Sequence, residues 1–492
     1  MKINKKIINN LINIARKKNI YVVIRCQIKK VRYLDVKNCN IDRSTLNEIC
    51  GTGIHAFTKS GHMGFASVDS ISDKERLIKC LSSAISLAIS TKKGKLETLK
   101  EIYKLKPTKG KTIQKVRIDP FKVPKKNIEK DLLNLNKKIK NKYRNASVTN
   151  TIQFHSDKWF IYRSDKTDIE FSVNNSTLST ILSINTEKLK NDLYEATSSL
   201  GYEVIKDKNI IKIFLKNLDK KFKYIKSNNK IKELKGGNYP ILLDGEIGGV
   251  FIHEAFGHTA ESDNFYSESP LLSNGELKKG NKIASNFINI FDYAEKNERA
   301  FQPYSLYGVK RKKAFIVKNG KINSLISDFI TAKKTNSTLT GGERTGLYSN
   351  IPVPRMTNTK ILLDKNHTLH PPFDTKISDV REIHKFLKAK NFFIKYPVII
   401  FLVGSTGGSV DPYEGNFQFQ SIASFKLTKD KVEILKPLVF SGITLKVIKS
   451  IKLALGEPIQ WPGVCFKNNE WIIVNASAPM FLLEKNKFVT VV

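Results

Sequence analysis

Residues 245–263 read GEIGGVFIHEAFGHTAESD, and the turn and helix signals in this stretch set the organisation of the half of the chain that follows. The preceding YPILLD (239–244) is typical of a buried strand, and the glycines of DGEIGG predict a turn. VFIHEAF (250–256) then predicts the start of a helix. The stretch therefore predicts a strand, a turn and a helix that carries two histidines and a glutamate.

The two histidines, His253 and His258, are five positions apart and enclose Glu254. Five residues of an ideal α-helix turn by about 500°, which leaves the two imidazoles about 140° apart. We therefore expect the helix from about residue 247 to break or bulge near Gly257, because glycine permits a break. A π-type turn would restore the common facing of the imidazoles.

Metal-assisted hydrolysis needs three protein ligands, an open position for water and a base that manages the proton of that water. His253 and His258 can supply two imidazole ligands, and Glu254 is the candidate base. The alternative is that the three residues share this segment by coincidence, a risk that every short motif carries.

The third ligand must come from another part of the chain. Glu261 and Asp263 are near in sequence, but a carboxylate just after a helix break is more often solvated. Cys465 is the more attractive candidate, because a thiolate binds zinc strongly and this cysteine is isolated from the others. The others form no CxxC pair and are interpreted as buried apolar thiols: Cys26, Cys39, Cys50 and Cys80.

A chain of 492 residues predicts two or three domains, and the fold class expected is α+β. Residues 1–125 are expected to form an N-terminal α+β subdomain with a Lys-rich linker from about residue 93. Residues 126–236 are expected to form a second α+β subdomain. Short strand-like runs between Gly and Pro turns predict a β-rich domain over residues 237–492, which would contain the helix with the two histidines.

The formal net charge of +39 raises the question of a nucleic-acid partner. The chain has 71 Lys and 13 Arg spread along its whole length, whereas a nucleic-acid site is expected to cluster its cations. This distribution favours a solvated basic surface. Lys or Asn interrupts every apolar run, so no membrane span is predicted. The N-terminus has the pattern of an amphipathic helix rather than a signal peptide, so we expect a cytoplasmic protein.

Four motifs in order resemble the TldD/PmbA (TldD/TldE) family of metallopeptidases. They are GEIGGVFIHEAFGHTAESD, PVPRMTNT (352–359), GGSVDPYEGNFQFQ (407–420) and the late Cys465 in PGVCFK. The N-terminal stretches GTGIHAF and GFASVDSIS also resemble the first domain of that family. The resemblance extends over nearly the whole chain, and it is closest to the metal-bearing TldD-type subunit.

This resemblance implies that His253, His258 and Cys465 bind one zinc ion per chain and that Glu254 is the catalytic base. It also implies an endo- or aminopeptidase that acts on unfolded peptides, including leader peptides of modified natural products. Its partner would be a PmbA/TldE-like paralogue in a heterodimer, or a second copy in a homodimer. The substrate would lie as an added β-strand in a cavity that the two subunits enclose.

Three further residues are candidates for substrate binding. Gly407 and Gly408 could let a peptide backbone approach closely, although an ordinary turn between strands is the alternative. Arg355, in PVPRMTNT, could hold a carboxylate or a backbone carbonyl, with a structural salt bridge as its alternative.

The chain departs from its resembled family just after the late cysteine. Relatives usually have a Gly there and a Gly-Gln soon after, whereas this chain has Phe466 and the pair Asn469 and Glu470. These changes affect the expected groove rather than the ligands. Two other functions stay open at this stage. One is a non-catalytic partner subunit, and the other is a basic nucleic-acid or topoisomerase-associated regulatory protein.

Overall fold

The computed structural model describes residues 3–90, 97–186, 189–226, 232–266 and 269–491. The α-helices are α1 (Lys5–Lys17), α2 (Lys74–Ser90), α3 (Lys125–Lys142), α4 (Glu203–Lys206), α5 (Lys208–Lys226), α6 (Gly245–Ile252), α7 (Phe329–Lys334), α8 (Val380–Ala389), α9 (Phe392–Lys395) and α10 (Thr444–Val447). Within the described ranges, no helix is both long and apolar enough to cross a membrane.

The strands of the N-terminal half are β1 (Tyr21–Lys37), β2 (Asn40–Phe57), β3 (Met63–Val68), β4 (Lys109–Ile113), β5 (Ala146–Arg163), β6 (Asp168–Thr186) and β7 (Leu189–Ser199). The first strands of the C-terminal half are β8 (Ile241–Leu243), β9 (Leu272–Ser273), β10 (Glu276–Leu277), β11 (Ile288–Asp292), β12 (Ala314–Lys318), β13 (Lys321–Ile322), β14 (Glu343–Arg344), β15 (Val353–Pro354), β16 (Asn358–Leu363) and β17 (Thr368–Leu369). The last strands are β18 (Val398–Val410), β19 (Asn416–Thr428), β20 (Val432–Leu435), β21 (Val439–Ile443), β22 (Ile451–Lys467), β23 (Glu470–Leu483) and β24 (Val489–Val491).

The seven strands of the N-terminal half form one sheet in the order β3-β2-β1-β5-β6, with β4 and β7 both paired to β6. Apolar faces of α1 and α2 pack on β1 and β2, and those of α3 and α5 pack on β5, β6 and β7. The antiparallel β1–β5 pair extends from Val23↔Arg163 to Lys37↔Thr149. Strands from both sides of the expected boundary at residue 125 therefore belong to a single sheet. The division into two subdomains stays a prediction.

The segment expected to be a linker is structured over its described part. Residues 97–104 form a 3-10 helix in which Leu99 and Ile102 are buried, and β4 pairs in parallel with β6. In the described part of this segment, Lys104, Lys109 and Lys111 are exposed while Leu99 and Ile102 pack inward. Average composition could not reveal this arrangement, because the pairing partner of β4 lies far along the chain.

The C-terminal half contains a 13-stranded mixed sheet in which β23 lies between β16 and β8, and β8 lies next to β18. The predicted strand before the histidine helix is confirmed as β8, whose residues are fully buried. The side chain of Asp244 caps α6 by accepting the backbone N–H groups of Glu246 and Ile247. Phe251 anchors the helix in the core, with its ring 5.0 Å from that of Phe417. The α+β class and the β-rich C-terminal half are thus confirmed.

A buried ion cluster joins the two halves of the chain. Lys221 of α5 is 3% exposed, and its Nζ lies 2.7 Å from a carboxylate oxygen of Glu195 on β7 and 2.7 Å from one of Glu246 on α6. Burial alone would lower the pKa of Lys221, but the two carboxylates outweigh it and raise that pKa. The cluster therefore fixes the start of the histidine helix against the N-terminal half.

Replacing Lys221 by Met should lower the free energy of unfolding by about 3–5 kcal/mol, because two carboxylates would be left buried without their cation. Urea denaturation followed by circular dichroism measures this change. Lys216 is exposed on the same helix, so the matched Lys216→Met should change stability by less than about 0.5 kcal/mol. Equal losses in the two variants would contradict the role given to the cluster.

Candidate metal centre

The backbone widens between the two histidines. Helix α6 ends at Ile252, residues His253–Gly257 form a π-helix, and His258–Ala260 form a 3-10 turn. The backbone N–H of His258 donates to the carbonyl oxygen of His253, the bond that defines a π-turn. The two imidazole rings consequently lie side by side, with centroids 5.2 Å apart. The predicted π-type turn is confirmed.

Gly257 is required for space rather than for conformational freedom. Its φ of -65° is ordinary helical geometry that any residue adopts. A Cβ atom at this position would lie 1.9 Å from Sδ of Met356, whose side chain is fully buried. The expected reason for a glycine here is therefore wrong: the π-turn passes so close to Met356 that a side chain at this position would fit only if the buried Met356 side chain moved.

Cys465 meets the two histidines from the end of β22. Its Sγ lies 3.4 Å from Nε2 of His258, across 207 positions of sequence. One donor atom from each of His253, His258 and Cys465 lies within 4.8 Å of the other two, and the side chains of His253 and Cys465 are buried. The structure thus brings together the three residues predicted as ligands, from a helix and a distant strand.

The three side chains of this cluster shift one another's pKa. Burial raises the pKa of Cys465, but hydrogen bonds and charges from His253 and His258 outweigh it and lower that pKa to about 5. Burial lowers the pKa of both histidines, yet the thiolate and neighbouring carboxylates raise it above the usual value. The two imidazoles thus acidify the thiol of Cys465, and a metal bound to these three side chains would compete with protons.

The donor set also fits a metal. Two imidazoles and one thiolate are a ligand set that zinc accepts, with a fourth position left for water. Nδ1 of His253 is buried and has no hydrogen-bond partner among the described residues. An unpaired buried nitrogen is costly unless it has a ligand. His253, His258 and Cys465 are therefore the residues that could hold the metal.

Glu261 orients one of these imidazoles, a role the sequence did not reveal. Its side chain is 1% exposed, and Oε2 lies 3.1 Å from Nδ1 of His258 and 2.9 Å from Nζ of Lys467. Burial raises the pKa of Glu261, but the charges of Lys467 and His258 bring it well below its usual range. The expectation of a solvated carboxylate is wrong, because Lys467 approaches from a strand 206 positions away.

Arg355 positions the cysteine strand. It is 1% exposed, and its guanidinium donates to the carbonyl oxygens of Cys465 at 2.7 Å and of Lys467 at 3.3 Å. Its Nε also lies 3.8 Å from a carboxylate oxygen of Glu261. The structure therefore favours the structural alternative for Arg355 over contact with a substrate.

A cavity of about 660 Å³ lies in front of the three ligands, and we call it the metal cavity. Glu254 lines it, with a carboxylate oxygen 3.6 Å from Nε2 of His258. Gly407 and Gly408 are exposed on its wall, and Gly407 has open space where a side chain would be. The candidate base and the two glycines thus face one space.

The residues that depart from the family pattern have two different roles. Phe466 is 51% exposed at the wall of the metal cavity and packs against Trp471, with ring centroids 4.8 Å apart. Glu470 instead accepts the backbone N–H of Gly346 at 2.8 Å and the hydroxyl of Thr345. Phe466 therefore shapes the cavity wall, and Glu470 holds the loop at residues 345–346, which contacts β1 of the N-terminal half through Gln27 and Lys29.

The model of the PmbA/TldA metallopeptidase C-terminal domain matches residues 236–489, more than half of the chain. The chain belongs to the PmbA/TldD metallopeptidase family. The range matched contains both histidines, Glu254 and Cys465. The family assigned from four sequence motifs is confirmed.

Curated relatives of this family member come from archaea and bacteria. The chain is 29% identical to a "Metalloprotease" of Archaeoglobus fulgidus over 50% of this chain and 52% of the relative. It is 28% identical to a "Metalloprotease TldD homolog" of Buchnera aphidicola over 52% of this chain and 49% of the relative. A "Zinc metalloprotease TldD homolog" of Saccharolobus solfataricus is 25% identical over 72% of this chain and 76% of the relative. The chain thus spans about half the length of the first two relatives.

Solved structures show the same fold over the whole chain. TldE from Thermococcus kodakarensis superposes with a TM-score of 0.73 and 16% identity, covering 99% of both chains. A putative modulator of a DNA gyrase from Thermotoga maritima gives a TM-score of 0.72 and 16% identity, covering 99% of this chain and 100% of the other. At this identity the likeness describes fold alone.

Replacing Gly257 by Ala should destabilise the chain by about 1–3 kcal/mol and weaken metal binding, because the new methyl group overlaps Met356. Thermal unfolding with and without zinc measures both effects. Gly249 of α6 is the matched control, since a Cβ there meets nothing closer than 3.4 Å and Ala is the better helix former. A stable Gly257→Ala variant with unchanged zinc affinity would show that the close approach is unimportant.

Replacing Glu261 by Gln should weaken zinc affinity by about 10- to 100-fold, because His258 loses the charged acceptor that orients it. Competition with a chromogenic chelator measures the affinity. Glu276→Gln, at an exposed site in the same half of the chain, should bind zinc as the unchanged protein does. Full zinc affinity in Glu261→Gln would exclude an orienting role.

Proposed function

We propose that this chain is a zinc peptidase that hydrolyses peptide bonds of unfolded proteins or peptides. The observation that carries the proposal is the convergence of two imidazoles, a low-pKa thiol and the Glu254 carboxylate at one cavity. The zinc named in the Saccharolobus relative and the metalloprotease names of the others support the choice of metal and reaction. One zinc ion per chain would be held by His253, His258 and Cys465.

The roles of the chain's own residues follow from the site. Zinc, when bound there, supplies Lewis acidity for a water molecule and for the peptide carbonyl. Glu254 faces the same space on the helix that carries both histidines, so its carboxylate can accept the proton of the attacking water and deliver it to the leaving amine. Glu261 keeps His258 oriented, and Arg355 keeps Cys465 in place.

The strands beside the metal cavity support an extended substrate. Ser405 and residues 408–410 of β18 pair with β19 on one side, with a bulge between them, while the pairing with β8 covers only residues 400–402. The outer half of β18 thus has one edge without a strand partner among the described residues, and Gly407 has open space where a side chain would be. A peptide added along this edge would bind through its backbone, which selects unfolded chains without reading their sequence. Leader peptides of modified natural products are substrates of this kind.

The wall of the metal cavity also supports a partner subunit. Val464, Phe466, Trp471 and Tyr413 each expose about half of their surface or more around it. Apolar residues grouped in this way mark interaction surfaces. We assign this surface to a PmbA/TldE-like paralogue, with a second copy of the chain as the other occupant. Light scattering on the chain alone and mixed with such a paralogue distinguishes the two, and a monomer in both samples would refute the assignment.

Replacing Glu254 by Gln should lower the rate of peptide cleavage by about 10²- to 10⁴-fold while one zinc ion per chain is retained, because only the proton acceptor is removed. Replacing Cys465 by Ser should remove the zinc as well. Metal analysis and mass spectrometry of a digest measure the two effects, with a reduced and alkylated protein as substrate and the chain supplied with its partner.

Two matched variants control this experiment. Cys80→Ser alters a buried thiol on α2, remote from the histidines, and should keep both zinc and activity. Glu276→Gln should cleave at the unchanged rate. Cleavage by Glu254→Gln at the rate of the unchanged protein would exclude this base, and equal digestion of the folded and unfolded forms of one protein would exclude binding by strand addition.

A further inference from the structure

A second cavity, of about 240 Å³, lies between the two halves of the chain, and we call it the interdomain cavity. Its walls come from β1, β5 and β6 on one side, and from residues 299–302, residues 344–346 and the β22–β23 hairpin on the other. The charged and titratable residues that line it are Lys29, His155, Asp157, Arg299 and Arg344. None of them is needed by the proposed peptidase reaction.

Arg299 is buried in this wall with only neutral partners. It is 5% exposed, its Nε donates to Oδ1 of Asn175, and another guanidinium nitrogen donates to the carbonyl oxygen of Val474 at 3.2 Å. No carboxylate within the described ranges forms an ion pair with it. A buried charge normally has a counter-charge, because desolvation is otherwise uncompensated.

Arg344, on β14, repeats the pattern. It is 8% exposed and donates to the side-chain oxygen of Gln302 at 2.9 Å and to the carbonyl oxygens of Ile473, at 2.9 Å, and Met356. Its described partners are again neutral. Two guanidinium groups thus line one cavity without a counter-ion of their own.

The remaining polar groups leave the cavity with an excess of positive charge. Lys29 donates to the carbonyl oxygen of Gly346 at 3.0 Å, and Asp157 accepts from the side-chain nitrogen of Gln27 at 2.9 Å. Three cationic side chains therefore face one carboxylate. His155 also lines the cavity, and its Nδ1 is buried without a hydrogen-bond partner among the described residues.

The rest of the lining is apolar and aromatic, and includes Trp159, Phe171, Phe301 and Ile472. An apolar wall with a few convergent polar groups is the usual form of a small-molecule site. Inorganic anions would satisfy the guanidinium groups but not the aromatic wall. The occupant that matches both parts has a carboxylate at one end and an apolar group at the other.

We propose that the interdomain cavity binds a small carboxylate with an apolar side chain, either a free amino acid derivative or the C-terminal residue of a peptide. The carboxylate lies by Arg299, Arg344 and Lys29, and guanidinium groups suit it because their paired N–H donors match its two oxygens. This site goes beyond the proposed peptidase activity and requires no metal. Val464 and Trp471 line both cavities, so the two sites share the β22–β23 hairpin as a wall.

The test is calorimetric titration of the full chain with N-acetyl-phenylalanine and with its amide, which differs only in lacking the negative charge. The acid should bind, and the amide should bind roughly tenfold to a hundredfold more weakly, because it loses charge-assisted hydrogen bonds. The zinc-loaded chain and the chelator-treated chain should give equal affinities. Binding that disappears with the metal would place the acid in the metal cavity and overturn the proposal.

Three variants locate the site. Arg299→Gln should weaken binding of the acid by about tenfold or more. The ammonium group of Lys29 makes one hydrogen bond among the described residues, so Lys29→Gln should disturb the fold less than Arg299→Gln. It therefore tests the same cavity if Arg299→Gln does not fold. Arg117→Gln removes an exposed guanidinium paired with Asp207 outside the cavity and should leave the affinity unchanged. Equal binding of acid and amide, no binding of either, or full affinity in Lys29→Gln would overturn the proposal.

A comparison of ligand lengths distinguishes the two sources of the carboxylate. If a tripeptide that ends in phenylalanine binds as well as N-acetyl-phenylalanine, the cavity takes a peptide end. If only the single residue binds, it takes a free amino acid derivative. The peptidase variant Glu254→Gln should bind either ligand normally, so failure of this site and failure of the proposed reaction are separate results.

Discussion

His253 and His258 can face one metal only where the backbone between them widens, because five residues of a regular α-helix would turn their side chains apart. The π-helical turn over His253–Gly257 meets this constraint with a single hydrogen bond from His258 to His253. The rest of the candidate site depends on that turn. It places Glu254 on the metal cavity and leaves Gly257 in contact with Met356, so a small change in its path would disturb the proposed ligands, the proposed base and the packing together.

A π-helical turn needs contacts from the surrounding structure to keep its geometry. Here, buried charged side chains provide these contacts. Glu261 contacts His258 on the turn and Lys467 at the end of β22, while Arg355 donates to the carbonyl of Cys465. The carboxylate and the two cations thus connect the histidine segment to the cysteine strand. Charges buried in this way are costly unless fully paired, so their value here is in fixing positions rather than in adding stability.

Most of the net positive charge of the chain lies away from the two cavities. Most cations are lysines spread over the surface, whereas Arg299, Arg344 and Arg355 are buried at the two cavities and the ligand strand. Arginine suits such positions because its guanidinium spreads one charge over several fixed donors. The β22–β23 hairpin lies between the cavities, and side chains at its tip, Val464 and Trp471, line both. One supersecondary unit therefore shapes two chemically different spaces.

The sequence by itself determined the α+β class, the β-rich C-terminal half and the three residues that converge at the candidate metal centre, including the need for a π-type turn. The fold class follows from the local pattern of strand, turn and helix signals. The three converging residues follow from donor chemistry, because two imidazoles five positions apart and one isolated thiol leave few possible metal-ligand sets. Only the tertiary structure decided that the N-terminal strands share one sheet, that Gly257 makes room for Met356, and that Glu261 meets Lys467. It also decided that Arg299 and Arg344 line one cavity. Each of these depends on contacts between distant segments, and neither periodicity nor composition along one segment contains the identity of its partner in space.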